Sequence, residues 1–153
     1  PAALAVARHR LYAEVIVVAM GPGIAGTGTR LGFTGMEVAP ILDAAAWLGG
    51  RPIALLRCSE ADERPRHQGI SHHSRTVLEA VRSEVDVAIP PGIEPLDGRH
   101  RWHRIDPGDV VSHLDDIDLQ VTTMGRALAQ DQLFATAAAA AGALAVALLG
   151  PDA

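Results

Sequence analysis

The stretch VIVVAMGPGIAGTGTRLGFTG, residues 15–35, joins an apolar run to a segment that contains six glycines. VIVVAM, residues 15–20, is apolar at every position, which is typical of a central strand covered on both faces. The segment 21–35 then leaves the carboxyl end of that strand, where open α/β sheets bind ligands. The stretch therefore predicts the first strand of an α/β fold, followed directly by a binding loop, which we call the glycine loop.

Apolar runs that alternate with helical patterns extend this prediction along the chain. Further strands are predicted in PIALLRCS, VDVAIP and LQVTTM, and another near HRWHRI whose direction the sequence leaves open. Helices are predicted over MEVAPILDAAAWLGG, over residues 71–85 with Ser71 as N-cap, from Asp106-Pro107, and from Gly125 to Gly150. We predict a single α/β domain over residues 1–153. Its fold would be a Rossmann-like three-layer α/β/α structure with a mostly parallel sheet of about five strands.

Composition limits the partners of this domain. The formal net charge is −5, which disfavours nucleic acid or an anionic membrane surface as the main partner. Cys58 is the only cysteine, so an internal disulfide is excluded and a reducing cytoplasm is the expected location. The uncharged segment 133–149 is rich in alanine and short for a membrane span, so we predict a buried or oligomer-forming helix. Because the chain starts at Pro1 rather than at a methionine, we expect it to be the C-terminal part of a longer protein.

Two nucleotide-binding motifs resemble the glycine loop, and neither fits it. Gly21, Gly23 and Gly26 form a G-x-G-x-x-G, but no helical pattern resumes before Met36, too late to place a helix N-terminus at a pyrophosphate. The spacing of a phosphate loop is also present, but Thr29 stands where that loop needs lysine, and the chain has no lysine. The sequence therefore disfavours a dinucleotide site, excludes a phosphate loop and indicates no particular cofactor.

The glycine loop still suits a small anion. Glycines allow close backbone approach, so successive N–H groups can form an anion-binding nest. Threonine hydroxyls and one guanidinium add further donors. The predicted ligand-binding residues of this loop are Gly21, Gly23, Gly26, Thr27, Gly28, Thr29 and Arg30. The alternative is a structural crossover whose glycines only relieve crowding.

A second polar segment, residues 58–74, leaves the second predicted strand and should face the same edge; we call it the His–Arg loop. Arg66, His67 and Ser71 are predicted to bind the anion near a helix N-terminus, with Arg64 nearby. His72 or His73 is the predicted general acid or base. A buried, unreactive thiol is expected at Cys58.

Two other interpretations of the His–Arg loop stay open. It could be a solvated polar loop, or it could hold a metal through His67, one of the histidine pair and Asp62 or Glu63. Adjacent side chains on a helix diverge by about 100°, so we expect only one of His72 and His73 to reach such a metal. The leading prediction contains no metal.

The stretch TTMGR, residues 122–126, repeats the pattern of a strand end, a glycine and an arginine; we call it the third loop. Thr123 and Arg126 are predicted to contact the ligand. Because an arginine at a helix N-terminus opposes the helix dipole, it needs an anionic partner, either a ligand or a carboxylate such as Asp131. We expect the three loops to converge on one pocket.

Three segments resemble a bacterial family of domains of unknown function: residues 15–57, RPRHQGISHHS and VTTMGR. The resemblance implies a shared fold and a shared grouping of these loops, without implying a reaction. Members are longer at the N-terminus and also between Pro91 and Asp106. We therefore predict a cytoplasmic α/β domain that binds a small anionic molecule, with His acid–base catalysis as its enzymatic form. The alternative is a non-catalytic domain that serves assembly as a homo-oligomer.

Overall fold

The computed structural model describes residues 1–21 and 23–150; Pro22 in the glycine loop and residues 151–153 lie outside them. Five helices are present: α1 Ala2–His9, α2 Val38–Trp47, α3 His72–Ala80, α4 Val110–Asp116 and α5 Gln132–Leu149. The strands are β1 Ile53–Ala54, β2 Cys58–Ser59, β3 Gly69–Ile70, β4 Asp86–Ile89, β5 Arg101–Arg104, β6 Thr122–Thr123 and β7 Arg126–Ala127. Short 3₁₀ turns at Thr34–Glu37, Pro65–His67 and Leu128–Gln130 complete the fold.

The centre of the fold is a parallel sheet with the order β1-β4-β5. The strand predicted in VDVAIP is present as β4, and every residue of it is buried, including the charged Asp86. Val87 and Ile89 pack in a cluster with residues of α2 and α3, whereas Ala88 packs with Ala140 and Leu144 of α5. Alternate residues of β4 thus face helices on opposite sides, as the two-residue repeat of a strand requires. The predicted α/β class is confirmed.

The described residues contain only three of the roughly five parallel strands expected of a Rossmann-like sheet. Residues 15–20 form no strand, and the side chains of residues 15–18 are exposed, 87% in the case of Val17. An apolar run makes a strand only where a neighbour supplies hydrogen bonds, and the described residues offer this run none. The run VIVVAM has the continuous apolar composition of a buried strand. Whether it pairs as one depends on residues far away in sequence, which composition does not show.

Two other predicted strands are shorter than expected and pair differently. PIALLRCS divides into β1 and β2 because Arg57 between them is bound to the start of α3: its N–H donates to Ser74 Oγ (2.9 Å) and its carbonyl accepts from Ser71 N–H (2.9 Å). β2 then pairs antiparallel with β3. LQVTTM contributes only β6, which pairs antiparallel with β7. The third loop is therefore a small hairpin and does not end a strand of the central sheet.

Helix boundaries follow local signals more closely. α2 ends just before Gly49, whose φ of +79° suits glycine, and Pro40 lies in its first turn. Ser71 caps α3 by accepting the His73 N–H at 3.3 Å, as predicted. α4 begins at Val110 rather than at Asp106-Pro107, because Asp109 accepts the Ser112 N–H and acts as the N-cap. β5, left without a direction by the sequence, is parallel to β4.

Helix α5 is long and apolar enough to cross a membrane by length and composition alone, with a mean hydropathy of 1.9. Core helices of soluble proteins meet the same criterion, and one face of α5 is buried against the sheet. Its five buried residues are Ala135, Ala137, Ala140, Ala141 and Leu144. The helix begins at Gln132 rather than at Gly125, because β7 and a 3₁₀ turn occupy the intervening residues.

Candidate functional site

A pocket of about 230 Å³ lies between the glycine loop and the His–Arg loop. Two of the three segments predicted to converge therefore meet. The pocket is lined by Ile24, Gly26, Gly28, Thr29, Gly32, Phe33, Arg64, Arg66, His67, His72 and His73. Of the residues that the structure describes, no acidic one lines this pocket.

The first turn of α3 brings His72 and His73 to the pocket. Ser71 caps the helix through its side chain and is bonded through its backbone to Arg57, which directly precedes β2. The Ser74 hydroxyl holds the same residue from one turn further on. The helix start is thus held to the segment that joins β1 and β2, and the two histidines that follow Ser71 take a defined position.

His67, His72 and His73 form a cluster, which we call the histidine cluster. The ring centroids of His72 and His73 are 4.2 Å apart, and those of His67 lie 4.9 and 5.0 Å from them. One ring nitrogen from each residue lies within 4.8 Å of the others. The expectation that adjacent histidines diverge is wrong here, because rotation of two long side chains at the helix start brings the rings to the same pocket.

His67 is 1% exposed and has partners on both ring nitrogens. Its Nδ1 lies 2.7 Å from Ser71 Oγ, and Arg66 Nε–H donates to its Nε2 at 3.4 Å. A donor at Nε2 requires an unprotonated Nε2, so we assign the proton to Nδ1, which donates it to Ser71. In this tautomer the lone pair is on Nε2, the ring nitrogen that does not face Ser71.

Burial keeps the histidine cluster neutral. It is the main cause that lowers the pKa of His67 to about 4, and the Arg64 guanidinium adds to the effect. Burial, followed by the charge of His72, lowers the pKa of His73 to about 4. The pKa of His72 is lowered by burial and then by Arg66. Near neutral pH the cluster therefore offers unprotonated nitrogens.

The glycine loop folds as a small hairpin, not as an open nest. Gly26 pairs with Phe33, and the Thr27 N–H donates to the Gly32 carbonyl at 2.7 Å. The Thr27 hydroxyl donates to the same carbonyl at 3.3 Å, and Thr29 Oγ1 accepts the Gly32 N–H at 3.1 Å. The two threonine hydroxyls, predicted as ligand donors, are thus used inside the loop.

Phe33 joins the glycine loop to the histidine cluster. Its ring stacks on His73 with a centroid distance of 4.2 Å and meets His72 edge-on at 6.0 Å. Phe33 is 7% exposed although it ends a segment of exposed residues. The Phe33 ring covers one side of the histidine cluster. Glycines of the loop, Gly26, Gly28 and Gly32, line another part of the pocket.

Several predicted ligand residues lie elsewhere. Arg30 forms an exposed ion pair with Glu79 of α3. The buried Thr123 does not line the pocket, and Arg126 donates to the buried Asp131 at 3.2 Å. Of the two partners considered for Arg126, a ligand or a carboxylate such as Asp131, the structure shows the carboxylate of Asp131. Gly21 and Gly23 are exposed and are also outside the set that lines the pocket.

The carboxylates of the His–Arg loop are not part of the histidine cluster. Asp62 is buried and accepts from Arg57 (2.8 Å) and from Arg64 (2.9 Å), and the Arg64 hydrogen bonds are the main cause that holds the pKa of its carboxyl far below the usual range. Asp62 and Glu63, considered above as metal ligands, are therefore not in the group whose ligand atoms come together, which consists of three histidines. Burial raises the pKa of the Cys58 thiol to about 11, as expected of an unreactive cysteine.

Comparison with known proteins places the chain in a family. Residues 1–142 match the family described as protein of unknown function DUF3866. The chain belongs to this family. No curated protein and no solved structure matches it.

Three residues that line the pocket of this DUF3866 chain were not singled out from the sequence: Ile24, Gly32 and Phe33. Phe33 did carry a signal, because it is one of two phenylalanines in the chain and lies in a glycine-rich loop. An aromatic side chain in such a loop usually needs a buried contact. Gly32 differs from the other glycines of the loop only in the folded structure, where the Thr27 and Thr29 hydroxyls lie against it.

Proposed function

We propose that the pocket binds a small anionic molecule, one that carries a carboxylate or phosphate group, in the cytoplasm. The observation that carries this proposal is the lining of the pocket. It has two arginines, Arg64 and Arg66, three histidines and glycine backbone, and no acidic residue among those that the structure describes. Guanidinium groups bind carboxylate and phosphate oxygens in a bidentate way.

Of the two arginines, Arg66 is the one available to a ligand. Arg64 is held by Asp62 through two hydrogen bonds from its side chain. Arg66 is exposed, and its side chain makes one hydrogen bond within the described residues, to His67 Nε2 at 3.4 Å. Moving Arg66 onto an anion would therefore cost little, and Arg64 would supply a fixed positive charge beside it.

Catalysis by His72 or His73 as a general acid or base is a narrower form of this proposal. Both rings line the pocket, and neither touches a carboxylate. Because burial lowers the pKa of His73 to about 4, its ring would accept a proton or a hydrogen bond rather than donate a proton near pH 7. Binding is the function that the geometry supports best.

A thermal-shift experiment on metal-free protein tests the proposal. Phosphate and acetate are compared with chloride at matched ionic strength. A ligand at 100 times its Kd adds about 2.7 kcal/mol, which raises the Tm of a domain of this size by roughly 5–10 °C. The Arg66→Ala variant should lose the response, and Arg8→Ala, an exposed arginine on α1, should keep it. An equal response to chloride, or an unchanged response in Arg66→Ala, would contradict the proposal.

A second function, assembly of two copies, is favoured by residues 15–18. These four β-branched residues are all exposed, and such a run pairs readily with a second strand. Pairing with the same run of another copy would supply the backbone hydrogen bonds that this run lacks within the described residues. Light scattering should find a dimer in the wild type and a monomer in Val17→Glu. A monomeric wild type would exclude this function.

A further inference from the structure

The histidine cluster has the composition of a transition-metal site. Within residues 1–21 and 23–150, it is the one group of three histidine, cysteine or carboxylate residues whose ligand atoms meet. We propose that His67, His72 and His73 bind one divalent transition-metal ion, foremost Zn²⁺, and leave a coordination position open toward the glycine loop. One part of the inference rests on the proposed function: the ligand at the open position would be the anion proposed above.

The distances fit a site that closes around the ion. Two nitrogens that each lie about 2.05 Å from a tetrahedral Zn²⁺ are about 3.4 Å apart. The ring nitrogens of the cluster lie within 4.8 Å of one another, so rotations of the half-buried His72 and His73 can bring them to this distance. Their helix start is held by the bonds of Ser71 and Ser74 to Arg57, so the backbone need not move.

The hydrogen bonds around the cluster are those of a metal site. A metal-bound histidine usually donates its other ring N–H to an oxygen, which fixes the tautomer. His67 does this through Nδ1 and the Ser71 hydroxyl, 2.7 Å away. His72 Nε2 is buried and has no hydrogen-bond partner. A buried ring nitrogen without a partner is costly, and a bound metal would satisfy it.

The chemistry of the ligands selects the metal. Three imidazoles without a carboxylate suit Zn²⁺ and its late first-row neighbours, whereas Mg²⁺ and Ca²⁺ require oxygen ligands. Neutral ligands leave the ion with its full charge. Arg66 adds a positive charge to the same pocket, and Arg64, which is paired with Asp62, adds a further guanidinium, so the open position would favour an anion, and Arg66 would turn away from His67 to meet it.

Calorimetric titration of the metal-free chain with Zn²⁺ tests this inference. The wild type should bind one equivalent. Loss of an outer hydrogen-bond partner in Ser71→Ala should weaken binding by about 10- to 100-fold, and His72→Ala or His73→Ala should weaken it further. His113→Ala, which removes an exposed histidine of α4, should bind like the wild type. Binding that is absent in the wild type, or unchanged in both cluster variants, would overturn the inference.

A spectroscopic measurement tests the site without any substitution. Co²⁺ bound to the wild-type chain should give the intense visible absorption of a four-coordinate ion, and Zn²⁺ should displace it. The weak spectrum of six-coordinate Co²⁺ would overturn the proposed geometry. This experiment also covers the case in which a cluster variant fails to fold.

Phosphate and acetate, each added with and without Zn²⁺, separate this inference from the proposed function. Anion binding in metal-free protein that takes up no Zn²⁺ would overturn the metal site and leave the proposed function standing. Uptake of one Zn²⁺ with no response to either anion would support the metal site and contradict the proposed function. A tighter anion response in the presence of Zn²⁺ would support both.

Discussion

Asp131 joins the start of α5 to the beginning of the His–Arg loop, and its replacement by alanine should both destabilise the fold and loosen the pocket. The side chain is fully buried. Its carboxylate accepts from Ser59 Oγ at 2.6 Å, from Glu60 N–H at 3.0 Å and from Arg126 at 3.2 Å. Although burial alone would raise its pKa, these three donors together lower it, so Asp131 is charged in the folded protein.

The size of the effect follows from what alanine leaves behind. Arg126 would keep a largely buried charge without its partner, and breaking a buried ion pair from one side costs about 3–5 kcal/mol. At about 2–4 °C per kcal/mol for a domain of this size, the Tm should fall by roughly 6–20 °C. Ser59→Ala, which removes a hydroxyl that donates to the charged Asp131 and accepts from the Asp62 N–H, should cost about 1.5–3 kcal/mol.

Urea denaturation gives the free energy of unfolding, and thermal melting gives the Tm. Glu94→Ala is the matched control, because Glu94 also pairs with an arginine, but both side chains are largely exposed; the expected change is within about 0.5 kcal/mol. Combining Asp131→Ala with Ser59→Ala should cost less than the sum of the two single changes, because the residues are in contact. A loss below about 1 kcal/mol in Asp131→Ala, or fully additive losses, would refute the reasoning.

Three further predictions concern other parts of the chain. Gly32→Ala should lower the Tm and Gly21→Ala should not, because an added Cβ would lie 2.1 Å from a threonine oxygen at Gly32 and within 4 Å of nothing at Gly21; equal melting of the two would contradict this. Cys58, buried and with its pKa raised to about 11, should react with a thiol reagent only on unfolding, and rapid labelling of native protein would count against it. The pKa of Asp86 is lowered from its ordinary 3.8, chiefly by Arg101. Its charge therefore stabilises the fold above that value and the gain is lost as pH falls. Asp86→Asn should make urea stability less dependent on pH between about pH 5 and pH 2, and an unchanged pH profile would exclude this role.

Local signals explain which elements could be predicted from the sequence. The N-cap Ser71, the glycine after α2 and the apolar run of β4 each act within a few residues, and these elements lie where they were predicted. Residues 15–20 carry an equally strong pattern but form no strand, since pairing requires a distant partner. The hairpin of β6 and β7 was missed for the same reason: TTMGR shows a turn, but not the strand against which it would pack.

The candidate site shows the same division. The meeting of the glycine loop and the His–Arg loop was predicted from a shared sheet edge, but the strand at residues 15–20 does not form, so the two loops meet without that edge. The meeting of His72 and His73 with His67 could not be predicted, because it depends on side-chain rotation and on the distance between a 3₁₀ turn and a helix start. Arg30 and Arg126 illustrate the opposite error: each had a protein carboxylate within reach, and an arginine beside such a carboxylate needs no ligand.

Three glycines of the loop at residues 21–35, Gly26, Gly32 and Gly35, are explained by packing inside the loop. A Cβ at Gly32 would meet the Thr27 and Thr29 hydroxyls, and one at Gly35 would lie 2.9 Å from the Phe33 ring. These contacts are internal to the hairpin that carries Phe33 onto His73. Glycine is thus required where the hairpin folds back on itself, and the result is an aromatic wall beside the histidine cluster. Of the G-x-G-x-x-G, Gly26 belongs to the same hairpin, because a Cβ there would lie 3.1 Å from the Gly32 carbonyl oxygen, whereas Gly21 and Gly23 have no such neighbour.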